Sequence, residues 1–126
     1  MRYVITKNQL HQIIYKYLEG MFSKSNTKKE ENDYNPDAYT LNLHDNYGKN
    51  MITYFWYGPG TDDDDNPHYG VGMIHIHPDI VDELRKTIKI RETKVIDIIS
   101  DWVSETYDVD IDEASIYPYR QKPANY

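Results

Sequence analysis

The chain has 126 residues, a net charge of −7 and no cysteine. This length suits a single domain with one modest core. The acidic balance disfavours nucleic acid as a direct partner, because phosphate binding needs clustered Lys and Arg. Disulfides, thiolate metal sites and cysteine nucleophiles are excluded. No apolar run reaches the roughly 18 residues of a membrane helix, and the amino terminus lacks a signal-peptide pattern, so we expect neither a membrane location nor secretion.

The segment "VITKNQLHQIIYKYLEG", residues 4–20, predicts the first helix. Thr6 suits the N-cap, and Gln9 three residues later completes a capping box. Apolar side chains then recur at spacings of three and four along one helical face. Residues 23–37 follow, and they contain almost nothing that a core could bury. We therefore expect a solvated polar loop over 23–37.

The middle of the chain predicts a three-stranded antiparallel meander. "YTLNLH" (39–44) and "VGMIHIH" (71–77) alternate with a period of two, and "MITYFWY" (51–57) is rich in β-branched and aromatic residues. A second polar loop is expected over 58–68. Both faces of the middle strand carry aromatic side chains. We expect this strand either to be covered on both sides or to expose one face as a contact surface.

Two further helices are predicted after the meander. Pro78 suits the first position of a helix, and a wide apolar stripe indicates another helix over 93–107. "SIYPY" (115–119) predicts a short edge strand that ends at Pro118. The sequence thus predicts one α+β domain over 1–126, with an N-terminal helix, the meander and two C-terminal helices on one sheet face.

The two histidines of "GMIHIHPD" are the candidate metal ligands. His75 and His77 lie two residues apart in a strand and should point to the same face, whereas Ile74 and Ile76 point to the other. The isoleucines suit the face that the helices cover, which favours histidines on a polar, solvated sheet face. In the alternative, His75 and His77 bind a divalent metal together with loop carboxylates and serve an enzyme. We expect no cofactor.

Four consecutive acids lie in the second polar loop: Asp62, Asp63, Asp64 and Asp65. The run lacks the glycine and the bidentate glutamate of a calcium loop, which favours a solvated, self-repelling segment. Alternatively, such a run docks on a basic surface, including one that normally holds nucleic acid. The protein would then be an acidic inhibitor of a host nucleic-acid enzyme.

Motifs of several catalytic classes do not occur in the chain. The sequence has no nucleotide-binding glycine loop, no nucleophile elbow and no zincin motif, which favours a non-enzymatic protein. Protein interfaces favour aromatic side chains with polar tips. We therefore expect a protein partner that contacts Tyr54, Trp56 and Tyr57 together with the four aspartates of the loop.

Two segments carry a resemblance to a group of viral proteins. "ITKNQLHQII" (5–14) resembles the opening of many short uncharacterised proteins of tailed bacteriophages, which have an I-T-x-x-Q-L-x-x-I-I run. "VIDIISDWVSETYDV" (95–109) is similar to their closing helix. These motifs are capping and packing signals over about a third of the chain. The resemblance implies a phage protein, either a small virion component or a host-directed accessory factor, in the virion or the host cytoplasm.

Overall fold

The computed structural model describes residues 7–31, 38–57, 60–61, 67–68 and 70–118. Three helices and a five-stranded mixed sheet confirm the predicted α+β class. In chain order the elements are α1 (Lys7–Met21), β1 (Phe22–Glu31), β2 (Tyr39–Asp45), β3 (Asn50–Trp56), β4 (Gly60–Thr61), β5 (Pro67–His68), β6 (Gly72–Ile76), α2 (Pro78–Thr87), α3 (Glu92–Tyr107) and β7 (Glu113–Ile116). None of these helices is both long and apolar enough to cross a bilayer.

The sheet has the strand order β1-β2-β3-β6-β7. The predicted meander is confirmed as its centre, since β2, β3 and β6 pair antiparallel in succession. β7 pairs with β6 in the parallel sense and provides the predicted C-terminal edge strand. Within the expected polar loop over 58–68, the short strands β4 and β5 pair as a separate ribbon.

The expectation of a loop over 23–37 is wrong for its first part, because that part forms β1. Residues Thr27 to Glu31 pair antiparallel with β2 along the edge of the sheet. An edge strand is held by backbone hydrogen bonds and needs no buried side chains, and charged residues on an edge oppose pairing with other chains. A polar sequence therefore serves here as a strand, although its composition is typical of a loop.

All three helices were predicted, and their positions agree closely with the expected ones. α1 begins within the described residues at Lys7, so the predicted N-cap Thr6 lies outside them. α2 opens with Pro78 at its first position, as expected. α3 runs from Glu92 to Tyr107. The helical periodicity of the apolar residues was sufficient to locate each of these elements.

The core lies between the helices and one face of the sheet. Buried side chains of this core face come from β2, β3 and β6: Leu43, Ile52, Tyr54, Ile74 and Ile76. The helices contribute most of the buried core residues, including Ile14, Leu18, Ile80, Val81, Ile98 and Ile99. The isoleucines of β6 therefore face the helices, as predicted. The opposite face of the sheet, called the open face below, carries none of the three helices.

A β-bulge adds one residue to this core. The register between β2 and β3 shifts at Leu43 and His44, so that Leu43 opposes Ile52 and His44 opposes Asn50. Met51 is left as the extra residue of β3. Met51 and Ile52 are both buried although they are neighbours in a strand. The bulge thus brings Met51 into the core in addition to Ile52 and Tyr54.

Candidate functional site

The open face is the candidate functional site, and strand alternation decides which side chains it carries. Pairing across the sheet aligns Phe55 with Met73 and Thr53 with His75. These four residues alternate with the buried ones of β3 and β6 and so point away from the helices. Each of them is partly buried rather than fully exposed. The face is therefore a packed surface and not a purely solvated one.

An aromatic cluster occupies the middle of this face and consists of Phe55, His75 and Tyr117. The ring centroids of Phe55 and His75 are 4.9 Å apart in an edge-to-face arrangement. On its other side His75 stacks on Tyr117, with centroids 5.0 Å apart and ring planes inclined by 25°. Such geometries are those that aromatic rings prefer. The imidazole is thus held between two aromatic rings.

The electrostatic state of His75 follows from this packing. Burial of the ring lowers the pKa of His75 below its usual value, because desolvation penalises the charged imidazolium. The ring is therefore neutral at pH 7. A neutral imidazole between two aromatic rings keeps the centre of the open face apolar and uncharged.

Polar side chains border the cluster toward the β2–β3 turn. The amide nitrogen of Asn50 donates to Asn42 Oδ1 and to Thr53 Oγ1, both at 3.0 Å. Thr53 Oγ1 donates in turn to Asn42 Oδ1 at 3.3 Å. These bonds hold an amide and hydroxyl rim beside the aromatic rings. An apolar centre with a polar rim is the usual anatomy of a protein interface.

Exposed apolar residues continue the surface at the other end of the strands. The backbone N–H of Tyr57 donates to the carbonyl of Val71 at 3.0 Å, which extends the β3–β6 pairing by one residue. The alternation places both side chains on the open face. Tyr57 is 53% exposed and Val71 is 37% exposed. Together with the aromatic cluster they form a continuous apolar strip.

A small cavity lies next to this strip, where β1 and β3 end and β2 begins. Its volume is about 180 Å³, and its lining combines two acids with aromatic rings: Glu30, Glu31, Ala38, Tyr39, Thr40, Phe55, Trp56 and Tyr57. Lys29 Nζ lies 4.6 Å from the centroid of the Tyr39 ring, so one of these rings already binds a cation. Carboxylates beside aromatic faces are suited to a Lys or Arg side chain.

The aromatic residues predicted for an interface lie in three different environments. Tyr54 is fully buried and its hydroxyl donates to the carbonyl of Asp110 at 2.8 Å, so its predicted place in an exposed interface is wrong. Trp56 is half-buried, and a Cβ at Gly70 would overlap its indole ring. Tyr57 is exposed on the open face. The acids Asp62, Asp63, Asp64 and Asp65 lie outside the described residues.

The two candidate metal ligands have different surroundings. His75 is packed in the aromatic cluster, whereas His77 follows the end of β6 and is the N-cap of α2. His77 Nδ1 accepts a hydrogen bond from the backbone N–H of Asp79 at 3.1 Å. Within the part of the chain that the structure describes, no group of three or more His, Asp or Glu side chains is placed to bind a metal ion. The expectation of a fully solvated His75 is also wrong, since Phe55 and Tyr117 both contact its ring.

No protein-family model, curated protein or solved structure matches this chain. A functional assignment therefore depends on the chain's own residues.

The alternation of side chains along β3 and β6, which the sequence displays, predicts the sheet faces on which Phe55 and His75 of the aromatic cluster lie. The same alternation does not predict the place of Tyr117, because its contact requires that β7 lie parallel and adjacent to β6. The sequence predicts a C-terminal edge strand, but it does not predict the contact between Tyr117 and His75.

Proposed function

We propose that this protein acts without catalysis, by binding another protein through the open face. The observation that supports the proposal is the aromatic cluster of Phe55, His75 and Tyr117 on the sheet face opposite the helices. Tyr117 is 53% exposed, so the cluster is accessible. Buried aromatic anchors surrounded by a polar rim carry much of the energy of protein interfaces.

The chemistry of the open face indicates what the partner presents to it. A chain with a net charge of −7 repels a second copy of itself and repels nucleic acid. Glu30 and Glu31 line the small cavity beside Tyr57. We therefore propose a partner protein of another kind, which covers the aromatic cluster with an apolar patch and inserts a Lys or Arg side chain into that cavity.

The experiment compares the same substitution, Tyr to Ser, at two positions on the open face and at one position away from it. Tyr57→Ser and Tyr117→Ser each remove an exposed ring from the open face, whereas Tyr47→Ser removes a ring that is 97% exposed in the β2–β3 turn. The three variants and the unchanged chain are used in parallel as affinity baits. A partner identified by mass spectrometry is then purified, and its binding is measured by calorimetry.

We expect the two open-face variants to bind at least about tenfold more weakly, a loss of about 1.4 kcal/mol each, and Tyr47→Ser to bind normally. Glu30→Gln combined with Glu31→Gln should weaken binding in a salt-dependent way, since the proposed Lys or Arg anchor loses its carboxylates. A partner that binds all variants alike contradicts the proposal. Self-association of the purified chain that Tyr117→Ser abolishes also contradicts it, because the occupant of the face would then be a second copy.

The resemblance of residues 5–14 and 95–109 to tailed-bacteriophage proteins supports a viral origin within this proposal. The partner is then a virion protein or a host protein. Mass spectrometry of purified particles separates these two roles, since a virion component is present in stoichiometric amounts and a host-directed factor is not. The inhibitor role of Asp62 to Asp65 and the metal-enzyme role of His75 and His77 stay predictions.

A further inference from the structure

The connection between α2 and α3 carries an unusual concentration of positive charge. The segment "RKTIKIRETK", residues 85–94, contains five of the 14 Lys and Arg residues of the chain and a single acid. The whole chain nevertheless has a net charge of −7. The chain is acidic overall but has a local basic region between α2 and α3. The net charge alone therefore does not exclude an anionic ligand at that region.

These cations surround an open cavity of about 630 Å³. Its lining consists of four basic residues and one apolar residue: Arg85, Lys89, Ile90, Arg91 and Lys94. Small-molecule sites have volumes of roughly 300–1,000 Å³. The volume of this open cavity lies within that range, and four basic residues line it. Ile90 and the aliphatic stems of the lysines provide an apolar wall.

Backbone and side-chain hydrogen bonds order the walls of this basic cavity. Arg85 Nε donates to the carbonyl of Ile90 at 3.2 Å, and Arg85 Nη1 lies 3.5 Å from Glu92 Oε2. The backbone N–H of Lys94 donates to the carbonyl of Arg91 at 3.0 Å. Arg85 is therefore tied to the connection and to the start of α3. Glu92 offsets part of the charge of Arg85, and the remaining repulsion among the lining cations is relieved when an anion lies between them.

We propose that the basic cavity binds a compact polyanion with two or more adjacent phosphate groups, as in a polyphosphate chain or a nucleoside triphosphate. A single phosphate group is too small to contact four cations around such a volume. An extended nucleic acid would have to pass over the acidic remainder of the chain, whose charge repels it. A short phosphate chain places its charge only within the cavity. The N-terminus of α3 lies at the same place and adds to the positive potential.

The proposal is tested by calorimetry on the full chain at low ionic strength, with sodium tripolyphosphate, ATP, AMP and inorganic phosphate as separate probes. We expect tripolyphosphate and ATP to bind one per chain, at least about tenfold more tightly than AMP or inorganic phosphate. Equal affinity for tripolyphosphate and ATP identifies the phosphate chain itself as the ligand. Tighter binding of ATP adds a contact of the nucleoside with Ile90. Both results support the proposal.

The matched variants change the same number of charges inside and outside the cavity. Lys89→Gln combined with Lys94→Gln removes two lining cations and leaves Arg85 in place, whereas Lys16→Gln combined with Lys28→Gln removes two exposed cations elsewhere. Only the first pair should weaken tripolyphosphate binding, by about tenfold or more. Circular dichroism verifies that both variants are folded.

Three results would overturn this inference. They are an absence of tripolyphosphate binding, an equal loss in both pairs of variants, and tighter binding of a single-stranded oligonucleotide than of tripolyphosphate. None of them bears on the open face, since the variants used there leave the basic cavity unchanged. Tyr117→Ser should accordingly bind tripolyphosphate as the unchanged chain does.

Discussion

Gly72 is the residue at which the C-terminal segment crosses the core face of the sheet. A Cβ at this position would overlap the carbonyl oxygen of Asp110 and lie 2.7 Å from the hydroxyl of Tyr54. The backbone of Gly72 also accepts from the N–H of Asp112 at 2.7 Å and donates to Asp112 Oδ2 at 2.8 Å. The place of β7 beside β6 therefore depends on the absence of a side chain at residue 72.

Gly72→Ala should lower the free energy of unfolding by about 2–3 kcal/mol, because the new methyl group has to displace backbone. The measurement is urea denaturation followed by circular dichroism. Gly20→Ala is the control, since a Cβ at residue 20 would meet no atom within 4 Å and alanine favours a helix by up to about 1 kcal/mol. Opposite signs are expected for the two substitutions. An unchanged midpoint for Gly72→Ala would contradict the close approach of Asp110.

Tyr54 is a buried residue whose surroundings change the pKa of its hydroxyl. Burial raises the pKa of Tyr54 above its usual value, and the nearby groups Tyr39 and Asp110 act in the same direction. A raised pKa in the folded state means that the contribution of Tyr54 to stability is present below the usual pKa of about 10 and is lost as the pH rises above it. The unchanged chain should therefore lose stability in alkali.

Tyr54→Phe should cost about 1 kcal/mol at pH 7, since the hydrogen bond to the carbonyl of Asp110 is removed. The difference between the two proteins should narrow above about pH 10, because phenylalanine has no proton to lose. Urea denaturation at neutral and alkaline pH measures both quantities. Tyr47→Phe, at a ring that is 97% exposed, should match the unchanged chain throughout. A constant difference for Tyr54→Phe would refute the linkage.

At the scale of elements, three consecutive residues form the junction at which β6 ends and α2 begins. Ile76 ends the strand with a buried side chain, His77 caps the helix and Pro78 opens it. The backbone N–H of His77 donates to the carbonyl of Met51 at 2.8 Å, so the cap remains attached to β3. His77 thus joins two elements, and its imidazole has a structural partner.

His77→Ala should destabilise the protein by about 1 kcal/mol, because the N–H of Asp79 loses its acceptor at the start of α2. His77→Asn should restore most of this loss, since asparagine is a favourable N-cap. Thermal or urea denaturation of both variants provides the comparison. Equal loss in the two variants would show that the capping bond is not what His77 contributes.

The two edge strands of the sheet, β1 and β7, differ in length and composition. β1 presents the charged residues Lys28 to Glu31 along one edge, and β7 closes the other edge with four residues. Short or charged edges discourage pairing with other chains. The composition of both edges thus agrees with the proposal that a partner contacts the open face and not an edge.

At the scale of the whole molecule, the net charge of −7 acts against compactness. Like charges repel across the folded surface, and the ion pairs offset little of this repulsion. The pair of Lys49 Nζ and Asp79 Oδ2 is 2.9 Å long, but its side chains are 52% and 59% exposed. Exposed pairs contribute little to stability. Four of the 14 Lys and Arg residues line the basic cavity.

Sodium chloride should raise the free energy of unfolding by up to about 1 kcal/mol between low and physiological ionic strength, because it screens the repulsion of the net charge. Urea denaturation over a salt series measures the slope. Lys49→Gln, which removes the exposed pair with Asp79, should leave that slope nearly unchanged. A decline of stability with salt would mean that attractive pairs outweigh the net repulsion.

Local pattern in the sequence determined most of the elements. The spacing of apolar residues located α1, α2 and α3, and Pro78 marked the first residue of α2. The alternation of Ile74 and Ile76 predicted which side of β6 faces the helices. These features are readable because side-chain periodicity is a property of each segment alone.

The tertiary structure alone decided which distant segments meet. A polar segment became β1 because the edge of β2 accepts its backbone, and the crossing at Gly72 placed β7 parallel to β6. Through that placement Tyr117 reaches His75, and Tyr54 enters the core instead of an interface. Backbone pairing and long-range packing depend on what the rest of the chain offers, and no local period encodes them.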